Sequence, residues 1–185
     1  MTDADWSKYR PVSIVIGVAL SVVFGLYRGG VLTDIDCSNN VGAALLRDFT
    51  HVDVLHFLVN MVSFAYVSGV EKREGSLKYL AVMGGILILS ALATVGLTAW
   101  LNVRCSIGFS GVVLGLMAYG LITSDLKQFW VPLLYLLAVS IMPTSSNVSI
   151  SGHLIGLGAG SIIGLLDRFV LRRMTTETQQ RNPRN

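Results

Sequence analysis

Apolar residues run in six long stretches, separated by short segments that hold most of the charge. A spanning helix needs roughly 20 apolar residues, fewer where it packs inside a bundle. The stretches are Pro11 to Tyr27, Val54 to Val70, Tyr79 to Leu101, Ser110 to Thr123, Phe129 to Met142 and Ser149 to Asp167. The fourth is short, and Pro143 ends the fifth. This pattern predicts an all-α membrane protein with six transmembrane helices. It divides the chain into an N-terminal segment (1–10), one membrane domain (11–167) and a polar tail (168–185), expected to be disordered. No early apolar run ends in a small-residue cleavage site, so the first stretch reads as a permanent span. The segment Arg28 to Asp53 is too mixed to span and too apolar for a free loop. It is expected to lie partly in the outer interface.

Charge sets the orientation. With the N-terminus in the cytoplasm, eleven of the fourteen Lys and Arg residues fall inside and only Arg28, Arg47 and Arg104 fall outside. Cytoplasmic loops carry such an excess, so both termini are expected to be cytoplasmic. Trp6, Trp100 and Trp130 fall near the span ends, where aromatic belts form. The composition agrees. The 185 residues are 52% hydrophobic and 14% charged, against about 25% charged in soluble domains. The formal charge is +3, without a long basic run to suggest a nucleic-acid partner. There is no phosphate-binding loop, and "GLGAG" at 156–160 lies inside an apolar stretch, where helix packing is the better reading. Two cysteines do not make a metal site. No metal, cofactor, nucleotide or nucleic-acid partner is expected.

Polar side chains inside spans are costly and usually functional. The second span carries His56 and Asn60 at i and i+4, on one helix face. Ser110 opens the fourth span, and the sixth carries His153. Spans two, four and six all start at the outer face, within about five residues of these groups. At 1.5 Å rise per residue, all three groups lie within about 8 Å of that surface. A common site is therefore possible. Gly108 and Gly111 flank the serine, and Gly156 and Gly160 share a face with His153. A GxxxG pair lets helix backbones approach closely, which would bring His153 beside Ser110.

A serine hydroxyl is a poor nucleophile until a base removes its proton. His153 could be that base. No carboxylate lies near it in sequence, so a dyad fits better than a triad. Acyl transfer also needs donors for the oxyanion. His56, the Asn60 amide and the Ser110 backbone N–H are natural ones, aided by the helix dipole at Ser110. Taken singly, each group has a structural reading. A lone serine in a spanning helix is a packing residue, His56 with Asn60 is an interhelical clamp, and His153 is a satisfied helix contact. The soluble-hydrolase elbow GxSxG does not fit. A transporter would show inverted repeats or broken helices, and neither is evident.

The residues resemble the rhomboid family of intramembrane serine proteases, from about His51 to Asp167. The stretches that carry the likeness are "HVDVLHFLVN", "GVEKREGSLKY", "GFSGVVLGLMAYG" and "GHLIGLGAGSIIGLLD". The resemblance implies a six-helix rhomboid-like bundle, with Ser110 as nucleophile, His153 as base, and His56 and Asn60 at the oxyanion. It implies cleavage of transmembrane proteins near the outer face of the bilayer, with the fifth span as lateral gate. Glu71 and Gly75 match a turn after the second span, and His51 matches a further family histidine. Two positions depart from the pattern. Leu46 precedes Arg47 where bacterial members often carry Trp-Arg, and Leu114 stands where an aromatic often stacks on the base. A non-catalytic family member that binds transmembrane helices, or a subtype trimming C-terminal sorting tails of exported proteins, are the alternative readings. The expected location is a bacterial inner membrane, with the site opening outward. Cys37 and Cys105 share the outer side, which leaves two readings open: a disulfide between them if that compartment is oxidising, or two buried, unreactive thiols.

Overall fold

The structure is a computed structural model and describes residues 10–33, 37–101, 105, 107–124, 134 and 150–171. Among these, regular structure is entirely helical. Helix α1 spans Pro11–Arg28, α2 Val41–Phe49, α3 Val54–Val67, α4 Gly69–Glu74, α5 Ser76–Leu101, α6 Ser110–Thr123 and α7 Ile150–Leu166. A π-helical turn, Asp167–Leu171, continues α7. Among the described residues, four segments are long and apolar enough to cross a bilayer: Pro11–Arg28, Val54–Glu74, Ser76–Leu97 and Ile150–Phe169. Helix α6 is apolar but has only 14 residues. The fifth expected span, 129–142, lies outside the described residues but for Leu134, and so does the tail beyond Leu171.

Helix α6 is the centre of the bundle. It is buried at every position from Val112 to Gly120, and a helix that is apolar all round belongs in a core. Tyr79, Met83 and Ile86 of α5, Phe64 and Val67 of α3, and Leu20 of α1 join it there. The chain between the first two spans is more ordered than its mixed composition predicts. Its apolar and polar residues sort onto two faces of α2. The Asn40 side chain caps that helix by accepting from the Ala43 N–H at 2.8 Å. Such a cap satisfies one of the orphan donors of a helix start.

The end of the molecule remote from Ser110 is tied by polar contacts. Pro11 begins α1, where its missing N–H costs nothing. The Glu71 carboxylate accepts from the Val12 and Ser13 N–H groups at 2.9 and 2.8 Å, and from the Ser13 and Ser76 hydroxyls at 2.6 and 2.7 Å. One buried side chain thus fixes the starts of both α1 and α5. Beside it, Lys78 pairs with Glu74 and Asp167, each at 2.8 Å, and the Tyr119 hydroxyl donates to Asp167 at 2.8 Å. These bonds join α4, α5, α6 and the turn after α7.

Candidate active site

Ser110 is placed by the turn before it. Gly108 has φ +109°, a backbone conformation open to glycine and strained for other residues. Its N–H donates to the Arg47 carbonyl at 3.0 Å, which joins the turn to the end of α2. The next residue, Phe109, is fully buried, and its ring meets Phe49 and Phe64 with centroids 5.4 and 5.3 Å apart. With Phe109 anchored, Ser110 becomes the first helical residue of α6. There its N–H is one of the four that a helix start leaves without an intrahelical partner.

His153 reaches the serine because α6 and α7 touch backbone to backbone. A β-carbon on Gly156 would collide with the Gly111 carbonyl, and one on Gly160 with the Gly115 carbonyl. On α6, a β-carbon on Gly111 would stand 3.1 Å from the Gly152 carbonyl, and one on Gly115 would stand 2.8 Å from that of Gly156. At this separation the Ser110 Oγ and His153 Nε2 lie 2.7 Å apart. His153 is buried and Ser110 half-buried. Among the described residues, none hydrogen-bonds the His153 Nδ1. Among the described residues, the contact is a pair.

His56 is set by its own helix start. Asp53 caps α3, accepting from the His56 N–H at 2.7 Å. The His56 ring lies over Gly108, where an added β-carbon would come within 2.6 Å of its Cε1 and 2.8 Å of its Nε2. Asn60 is buried one turn on, and its amide donates to the His56 carbonyl at 2.9 Å rather than to the serine. An amide NH2 carries two donors, so one remains. His51 is fully buried and meets His56 and Phe57 edge-on, with centroids 5.2 and 5.5 Å away. Burial, assisted by the neighbouring His56, pushes the His51 imidazole down to about 4, against the Phe49 carbonyl and Asp53. It is neutral at pH 7.

Several participants escape sequence reasoning. Gly115 is one, although its four-residue spacing from Gly111 repeats the pattern seen at 156 and 160. Asp48 is another. It lines a cavity of about 20 Å³ with Arg47, Ser90, Gly108, Gly111 and Gly152, room for about one water molecule. Burial pushes the Asp48 carboxyl up to about 7, with the Arg47 guanidinium opposing. Cys37 and Cys105 form a disulfide with Cα atoms 5.6 Å apart. It ties the segment before α2 to the one before Ser110. Arg47 reinforces that tie through its Nη1, which donates to the Ser38 carbonyl at 3.1 Å.

The long apolar helices mark an integral membrane protein, with a serine hydroxyl and an imidazole in contact at one end of its core. A model of the rhomboid domain matches residues 43–168, and the chain belongs to the rhomboid family. It is similar to a rhomboid-type serine protease of Eremothecium gossypii, 30% identical over 141 residues that cover 68% of this chain and 52% of that one. The chain thus spans about half the length of this fungal relative. It is also similar to a protein of Acanthamoeba polyphaga mimivirus named for the rhomboid family. That likeness is 27% identity over 186 aligned residues, covering 92% of this chain and 97% of the viral one. Neither relative is bacterial.

Proposed function

We propose that the chain is an intramembrane serine endopeptidase that cuts transmembrane substrates near one face of the bilayer. The observation that supports this best is the 2.7 Å contact between the Ser110 Oγ and His153 Nε2, within hydrogen-bond reach for proton transfer. In the proposed reaction the Ser110 Oγ attacks the scissile carbonyl carbon as its proton passes to the His153 Nε2. The oxygen that gains charge lies among the Ser110 N–H, the His56 ring and the free amide hydrogen of Asn60. Collapse expels the amine, which takes the proton from His153 and leaves an acyl group on Ser110. Water then attacks that ester as one of its protons passes to His153; the bond between the acyl carbon and the Ser110 Oγ breaks, His153 returns the proton to that oxygen, and the acid product leaves and ionises. No carboxylate is needed to orient the base, because the glycine contacts hold α7 against α6. The excess of Lys and Arg at the other end of the helices favours a site that opens outward.

The test is cleavage of a labelled transmembrane substrate in liposomes by wild type, Ser110→Ala and His153→Ala. Both variants should lose activity while keeping the wild-type melting temperature within a few degrees. Cleavage that survives Ser110→Ala would overturn the reading.

A further inference from the structure

A second feature lies away from Ser110, along the outside of α1 and α3. It is a groove of about 580 Å³, walled by Ile14, Val18 and Val22 on one side and Met61 on the other, with Arg10 at its end. Gly17 forms part of its floor, where even a β-carbon would only just touch the Met61 Cε, at 3.5 Å. Ile14, Val18 and Val22 are each more than half exposed. The groove therefore opens to whatever surrounds the helices.

We propose that this groove binds an anionic phospholipid, with an acyl chain along α1 and the phosphate at Arg10. Dimensions choose the chain. From Arg10 to Val22 the helix rises about 18 Å, close to the thickness of one leaflet's hydrocarbon, about 15 Å. The hydroxyls among the described lining residues are already donating, Ser13 to Glu71, Ser21 to the Gly17 carbonyl and Ser68 to the Ala65 carbonyl.

Charge chooses the headgroup. Among the described residues, Arg10 bonds only through its Nη1, which donates to the Ala65 carbonyl at 3.2 Å and the Ser68 hydroxyl at 2.6 Å. Both acceptors are neutral. A guanidinium has five N–H donors, so three remain. The neighbouring carboxylate, Glu71, is engaged by the α1 start and Ser76. The groove thus ends in a cation whose forked donors match a phosphate. Basic pockets between membrane helices recognise anionic headgroups in this way.

The test reads lipid occupancy, not cleavage, so its outcome is independent of the proposed protease activity. The full chain is placed in nanodiscs doped with phosphatidylglycerol carrying a photoreactive acyl chain, or with the matching phosphatidylcholine. Crosslinks are mapped by mass spectrometry. Labelling should concentrate on Ile14, Val18 and Met61, with phosphatidylglycerol favoured about fivefold. Arg10→Gln should abolish the preference, Arg10→Lys should keep most of it, and Val18→Trp, which fills the groove, should block both lipids. Equal labelling by the two lipids, or labelling spread evenly over the exposed faces of α5 and α7, would overturn the proposal. So would displacement of the label by a transmembrane peptide, which would make a protein helix the occupant.

Discussion

Gly156 faces the Gly111 carbonyl of the neighbouring helix so closely that a β-carbon has no room between them. The distance from α6 to α7 is therefore set by the absence of side chains. The contact between Ser110 and His153 depends on it. Gly156→Ala should cost about 1–3 kcal/mol through overpacking. By moving the base it should also cut cleavage about 100-fold, the loss expected for a misplacement of about 1 Å. Gly158→Ala is the control, because a β-carbon there meets nothing within 4 Å. Thermal melts and cleavage rates on both variants check this. A Gly156→Ala variant as active as Gly158→Ala would show that the helices can separate without harm.

Gly108→Ala should act on catalysis through His56. The added carbon would lie 2.6 Å from that ring on a backbone at φ +109°, so both the turn and the imidazole must shift. The expected loss in kcat is about 100-fold, the lower end of what removal of one oxyanion donor costs. Combining it with His56→Ala should cost little more than either change alone, since both remove the same donor.

Reducing the disulfide should loosen the site from outside the membrane. A bridge joining residues 68 apart stabilises by about 4 kcal/mol on the chain-entropy account. Its second half, Cys105, lies three residues before Gly108. Reductant should lower the melting temperature and the cleavage rate of the wild type together. Cys37→Ser should match the reduced protein and no longer respond to reductant.

Asp48 should make stability depend on pH in a way that one variant isolates. Its folded pKa, about 7, is above its ordinary 3.8. The folded state therefore binds more protons between those values, and stability falls as pH rises through the window. His51, lowered to about 4 from 6.5, works the other way, adding stability as pH rises from 4 to 6.5. The two largely cancel there. Asp48→Asn should unmask the histidine slope, with the stability difference from wild type growing from pH 4 to 7 and then levelling. Urea melts across that range measure it. A constant difference would mean that Asp48 titrates as an ordinary carboxyl.

Local patterns and long-range contacts differed in how well the sequence exposed them. His56 and Asn60 were readable because i and i+4 share a helix face. The convergence of Ser110 with His153 was foreseeable because spans entering from one side put their first residues at one depth. Glycine spacing named the contact on α7 but missed Gly115 on α6. The Glu71 cap on α1 joins residues 58 apart, and nothing local at either end announces it. Helix α2 was hidden for another reason. Its nine residues are too few for a hydropathy window, so the sequence showed a mixed segment where the fold has a wall of the site. The break at Ser68, between α3 and α4, fell inside the second apolar stretch for the same reason.

The order of the pair along the chain has a consequence for biogenesis. Ser110 precedes His153 by 43 residues, and α7 is the last described helix to be made. At about 5–20 residues per second, the serine leaves the ribosome roughly 2–9 s before its partner. Through that interval the nascent chain holds a hydroxyl without a base. Under the proposed mechanism it cannot cut its neighbours in the translocon, and the site is complete only once α7 is inserted.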